Sequence, residues 1–154
     1  MRKFVHCGLV LGCLLFAAGC TVETTTSGNG TPAAVAPSAA TTVAGVVTCL
    51  APKENVCPAE QSVFARDTAE IFVTANLNGA AAGTKIDFAW RYVDGNQDID
   101  TVTLTAAKAG NSALQASLPR PTFEGGWPAG NYEIRIQVQN HPEISAIKKA
   151  FSVK

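Results

Sequence analysis

The feature that most constrains this chain is a series of short segments in which apolar and polar residues alternate, separated by Gly, Pro, Asn and Asp. From Lys85 to Val93, Ile86, Phe88, Trp90 and Tyr92 fall on one face, and Lys85, Asp87 and Arg91 on the other. From Tyr132 to Gln139, Tyr132, Ile134, Ile136 and Val138 alternate with Glu133, Arg135, Gln137 and Gln139. A period of two belongs to a strand with one buried face and one solvated face. Ile71, Val73, Ala75 and Leu77 make a third such segment, although Phe72 on the opposite face breaks strict alternation. Val102 with Leu104, then Leu114, Ala116 and Leu118, then Ile147, Phe151 and Val153 complete the series, and Val46 to Cys49 reads as an initial edge strand. No stretch of comparable length shows helical periodicity.

Six or seven antiparallel strands in roughly 110 residues imply an all-β sandwich of two sheets, because each sheet has one apolar face that another must cover. The last two strands are expected to form a hairpin across Asn140-His141-Pro142-Glu143, where Pro142 suits a turn and not a central strand. These residues resemble the immunoglobulin-like class. Trp90 in the third strand matches the core tryptophan of many such domains, and Gly126-Trp127-Pro128-Ala129-Gly130-Asn131-Tyr132 looks like the turn and tyrosine that open the penultimate strand. The resemblance implies a tyrosine hydroxyl closing a corner on upstream backbone. The same region is similar to small bacterial extracytoplasmic domains with a GWP-x-G-x-Y turn and a final Phe-x-Val strand, here Phe151-Ser152-Val153. It implies a fold and no activity, since sandwiches host unrelated functions.

The N-terminus has a different character. Arg2 and Lys3 precede an apolar run from Leu9 to Phe16, followed by Ala17, Ala18, Gly19 and Cys20. Basic start, apolar core and small residues are the parts of a secretory signal, and the core is shorter than the roughly 20 residues that span a bilayer. The cysteine after Ala17-Ala18-Gly19 resembles the lipobox of bacterial lipoproteins, with Ala17 standing where that family most often has Leu. The resemblance implies a signal peptide over 1–19 and lipidation of Cys20, with diacylglyceryl and N-acyl chains holding the protein to a membrane. Several acyl chains anchor stably where one does not. Thr21, in place of the Asp associated in that family with inner-membrane retention, implies the outer membrane if the cell has two.

Cysteine arithmetic agrees. Of five cysteines, Cys7 and Cys13 leave with the signal, so Cys20, Cys49 and Cys57 remain. An odd count in an exported chain calls for an explanation. With Cys20 lipidated, Cys49 and Cys57 are an even pair in an oxidising compartment, and a disulfide is the economical outcome. A metal site on this pair lacks further ligands, as His141 is the only histidine of the mature chain. From 20 to 42 the chain is Thr-, Ala-, Gly- and Pro-rich with one charge at Glu23, a composition that cannot bury a core and reads as a flexible linker. Residues 43–154 then form the sandwich domain.

Function is less legible. Twelve basic and twelve acidic residues cancel, so no basic field recruits nucleic acid. Asp94, Asn96, Asp98 and Asp100 place oxygens at alternate positions, as a calcium loop does. Against the EF-hand template Ile99 replaces the needed Gly and Thr105 the bidentate Glu, so a solvated turn between strands is the better reading. Phe123 and Trp127 beside Gly125-Gly126 are a possible contact surface, although Trp127-Pro128 ahead of a tyrosine corner more often packs the end of a sandwich. No catalytic residues and no cofactor are assigned, because His141 sits beside Pro142 in an expected exposed turn without a set of partners. The expectation is a non-catalytic, membrane-anchored binding module with a protein partner in the envelope. A glycan- or small-ligand-binding module and a structural subunit of an envelope complex are the alternatives.

Overall fold

The computed structural model describes residues 40–122 and 125–154. Eight strands are present among them: β1 (Thr42–Cys49), β2 (Val63–Phe64), β3 (Glu70–Ala80), β4 (Lys85–Tyr92), β5 (Gln97–Thr105), β6 (Gly110–Pro119), β7 (Gly130–Val138) and β8 (Ile147–Val153). This is one strand more than expected. The addition is β2, two residues paired in parallel with the end of β8, too short to carry a periodic signal. The expected signal peptide, Cys20 and the linker lie outside the described residues, apart from the linker's last three positions.

The strands form two sheets, ordered β1-β3-β6 and β2-β8-β7-β4-β5. β3 and β6 hold the places of immunoglobulin strands B and E, and β4, β7 and β8 those of C, F and G. β5 joins the second sheet beside β4, as an additional C-edge strand does in variable-type domains. The fold is thus an immunoglobulin-like sandwich. β1 is an edge strand, as its sequence suggested, and it is interrupted by an irregularity between Ala44 and Val47. There Gly45 takes a positive φ of 61°, and a Cβ would meet the Asn76 amide.

The inner faces are the alternating residues read from sequence. Ile71, Val73, Ala75 and Leu77 of β3 and Leu114, Ala116 and Leu118 of β6 face Ile86, Phe88, Trp90, Ile134, Ile136 and Val138 of the other sheet, all buried. The register places Thr42 opposite Asn78, Lys85 opposite Thr105 and Ile136 opposite Ile147, so these positions share one end of the sandwich. At the opposite end lie Cys49, Glu70, Tyr92, Pro119, Gly130 and Val153. The chain therefore enters the domain at one end, and the β1–β2, β2–β3, β4–β5 and β6–β7 loops gather at the other.

The far end is closed by aromatic rings. Tyr132 stacks on Phe151 at 5.0 Å between centroids, and Phe151 meets Phe64 at 5.5 Å and Trp90 at 6.1 Å edge-on. Trp127 meets Tyr132 edge-on at 5.9 Å. Offset and edge-on contacts at these separations are the favourable ones for aromatic quadrupoles. The Tyr132 hydroxyl donates to the Pro128 carbonyl at 2.7 Å, which is the corner that the resemblance implied.

Candidate interaction surfaces

The two outer faces of the sandwich differ in charge. On the three-stranded sheet, register places Thr42, Ala44, Val47 and Cys49 of β1 on the outer side with Phe72, Thr74, Asn76 and Asn78 of β3, Cys49 and Thr74 being buried where the disulfide loop crosses them. Asn111, Ala113, Gln115 and Ser117 of β6 complete this face. None of these residues is charged, and Glu70, at the far end of β3, is the one charged residue in the three strands. The outer face of the five-stranded sheet carries Lys85, Asp87, Arg91, Asp98, Glu133, Arg135 and Lys148. Several are cross-linked: Arg91 to Asp98 at 2.9 Å, Lys148 to Glu133 at 3.1 Å, and Asp87 accepts from Thr103 and Gln139. That face is a solvated one.

A clamped loop overhangs the uncharged face. Cys49 and Cys57 form a disulfide, the pairing expected from the sequence. The Cys57 amide donates to the Thr74 hydroxyl at 3.3 Å, fastening the loop to the middle of β3. Within the loop, Lys53 and Val56 exchange both backbone hydrogen bonds at 2.9 Å around Glu54 and Asn55, each at positive φ. Two central residues at positive φ make the tight turn whose twist suits a hairpin. The turn holds Val56, 53% exposed, beside a groove of about 240 Å³ floored by Val47, Thr74 and Asn76. Leu50, Val63 and Val93 are the other large exposed apolar residues among the described residues, and all of them lie toward the far end.

The free strand edges are unequal. β8 is paired by β2 only at Ser152 and Val153, so its earlier residues have an open side. Lys149 alternates with Ile147 and Phe151 on the inner face there, and its ammonium pairs with Glu60. A charge turned inward on an edge discourages a further strand. β5 carries Asp98 and Asp100 on its edge. β6 has ten residues, one paired side, and no charge from Gly110 to Pro119.

The remaining sequence candidates fare differently. Trp127 is fully buried, its indole donating to the Thr68 carbonyl at 2.7 Å and its amide to the Arg66 carbonyl at 2.9 Å. It packs the end of the sandwich, which excludes it from a contact surface; Phe123 lies outside the described residues. The acidic run is not a cation loop. The turn is confined to Val93–Asn96, and Asp98 and Asp100 belong to β5. Asp94 accepts from the Asn131 amide at 2.9 Å, Asn96 and Asp98 accept from Arg91, and Asp100 accepts from the Thr101 amide at 2.7 Å. Two of the four side chains are thus held by Arg91 and the other two by main-chain amides. Among the described residues no three of His, Cys, Asp and Glu come together as metal ligands. His141 Nδ1 lies 2.7 Å from Glu143 Oε1 in the β7–β8 loop, and this bond holds the Glu143 carboxyl below the usual range. Sequence reasoning missed the uncharged face because it is a property of three strands far apart in the chain; the missing charge is visible in each, but their shared sheet is not.

No protein-family model matches the sequence, and no curated protein matches it. Among solved structures, the chain is similar to a CARDB domain of Pyrococcus furiosus in two determinations. The crystal structure, described as a complex with di-metal ions, is 12% identical, covering 75% of this chain and 88% of that one, with a TM-score of 0.44. The solution NMR structure is 15% identical, covering 73% of this chain and 94% of that one, with a TM-score of 0.41.

Proposed function

We propose that the chain is an exported lipoprotein, acylated at Cys20, whose sandwich is a non-catalytic interaction module that docks a protein partner in the cell envelope through the outer face of β1, β3 and β6. The observation that carries this reading is that the outer side of β1, β3 and β6 has ten open positions and no charge among them, set against the heavily charged outer face of the other sheet. Surfaces that stay in water are usually dotted with charge, whereas the cores of protein interfaces are depleted of it. The unguarded edge of β6 borders this face and offers backbone donors and acceptors to an added strand. β1 begins at the opposite end of the sandwich from the disulfide loop, which suits presentation of the apolar loop residues by a domain tethered through its N-terminus. In a cell with two membranes, Thr21 supports outer-membrane anchoring.

A second reading is favoured by Phe72. This half-buried ring lies between Cys49 and Ser117 in register, with Gln115 one pair further along, and a ring flanked by uncharged polar groups suits a neutral glycan. The test is photo-crosslinking on intact cells from Gln115 of the uncharged face and from Gln137 of the charged one, two half-buried glutamines of equal reach. The proposal expects a discrete protein adduct from Gln115 and none from Gln137. Adducts from Gln137 alone would refute it, and a saccharide adduct from Gln115 would install the second reading.

A further inference from the structure

At the far end two arginines share a cleft that the reading above leaves unused. Arg66 stands in the β2–β3 loop and Arg120 opens the β6–β7 loop, and each grips the loop of the other. Arg66 Nε donates to the Trp127 carbonyl at 3.1 Å, and Arg120 Nη1 donates to the Asp67 carbonyl at 3.2 Å. The reciprocal bonds fix both stems and leave most of each guanidinium's five donors uncommitted. Neither forms an ion pair with a carboxylate among the described residues. They line an open cleft of about 550 Å³ with Asp67, Thr122, Gly125 and Gly126. Gly126 is at a positive φ of 69°, where a Cβ would collide with the Arg66 carbonyl, so glycine is what lets the loops close on one another. The amides of Gly125 and Gly126 have no acceptor among the described residues.

We infer that this cleft is an oxyanion site, taking a phosphate or carboxylate group between the guanidinium of Arg66 and that of Arg120. Two guanidiniums lining one cleft both attract an anion placed between them, and planar forks oriented by main-chain carbonyls are suited to bidentate recognition of an oxyanion. Asp67 leaves the cleft with an excess of positive charge, so one anionic group completes it. The Thr122 hydroxyl and the two glycine amides add donors around the same space. Arg91, by contrast, is already paired with Asp98.

The test is an NMR titration of the full-length purified chain with inorganic phosphate, succinate and sodium chloride at constant ionic strength, following the arginine Nε–H and glycine amide signals. It is run on the parent chain and on Glu124→Gln, which removes the one carboxylate in the sequence of the β6–β7 loop as a competitor for the added anion. The inference expects saturable shifts of Arg66, Arg120 and Gly126 with phosphate or succinate, and none that saturate with chloride. Arg66→Gln and Arg120→Gln are expected to lower the affinity at least tenfold, and Arg135→Gln to leave it unchanged. Arg120→Lys keeps the charge and loses the fork, so it separates recognition from loss of folding; it too is expected to weaken binding. Phosphate against succinate decides which oxyanion is preferred. Shifts that never saturate, that chloride reproduces, or that survive both glutamine variants would overturn the inference.

Discussion

Trp127 and Tyr132 pack the end of the sandwich, the better of the two readings that their sequence allowed. A tryptophan between Gly126 and Pro128 has the surroundings of an exposed tip, yet its indole is sealed against Tyr132 and bonded to Thr68. Trp127→Ala would remove a fully buried ring and leave a carbonyl unpaired, so a loss of about 3–5 kcal/mol is expected in urea denaturation. An unchanged midpoint would contradict the packing. Tyr132 adds a dependence on pH. Burial first, and the neighbouring Tyr92 second, push its hydroxyl up from 10.0 to about 12. The folded state therefore keeps its proton after the unfolded state has lost it. The contribution is complete below about pH 10 and disappears as the pH rises toward 12. Tyr132→Phe should flatten that part of the stability profile relative to the parent chain, measured by denaturation from pH 9 upward.

At the scale of elements, strands with a buried face were legible and strands that lie on an edge were legible only in part. β4 and β7 announce themselves because both neighbours and one face demand alternation. The start of β5 does not. Asp98 and Asp100 are common turn residues, and only the pairing of Arg91 with Asp98 and of Trp90 with Asp100 reveals that the strand has already begun. β2 is fixed wholly by tertiary contact with β8, which no local pattern encodes. The disulfide, by contrast, followed from counting; closing a loop of about nine residues is worth roughly 2.5 kcal/mol in the chain-entropy model. Edge strands also carry a prediction. Lys149 is the inward charge that guards the open part of β8. Lys149→Val should release that edge and shift the chain to larger species in size-exclusion chromatography with light scattering. An unchanged elution would mean that another feature protects the strand.

The whole molecule has a direction. The linker enters beside Asn78 and the β7–β8 loop, and the disulfide loop, the aromatic corner and the arginine cleft lie at the opposite end. The proposed anchor has its own check: Cys20→Ala should move the protein from the detergent phase to the aqueous phase on cloud-point separation, and retention in the detergent phase would remove lipid from the account. The site, unlike the fold, was not readable beforehand. An uncharged face is assembled from β1, β3 and β6, and a cleft from Arg66 and Arg120, residues that topology and not spacing brings together.

Docking through the three-stranded sheet is tested most directly by placing one charge on each face and measuring affinity for the partner captured from Gln115. Ala113 and Ala150 are exposed alanines on opposite sheets. A lysine stranded in an interface without a partner is costly, so Ala113→Lys is predicted to weaken binding by about tenfold or more, some 1.4 kcal/mol, while Ala150→Lys leaves it unchanged. Full affinity in Ala113→Lys together with a loss in Ala150→Lys would contradict the account.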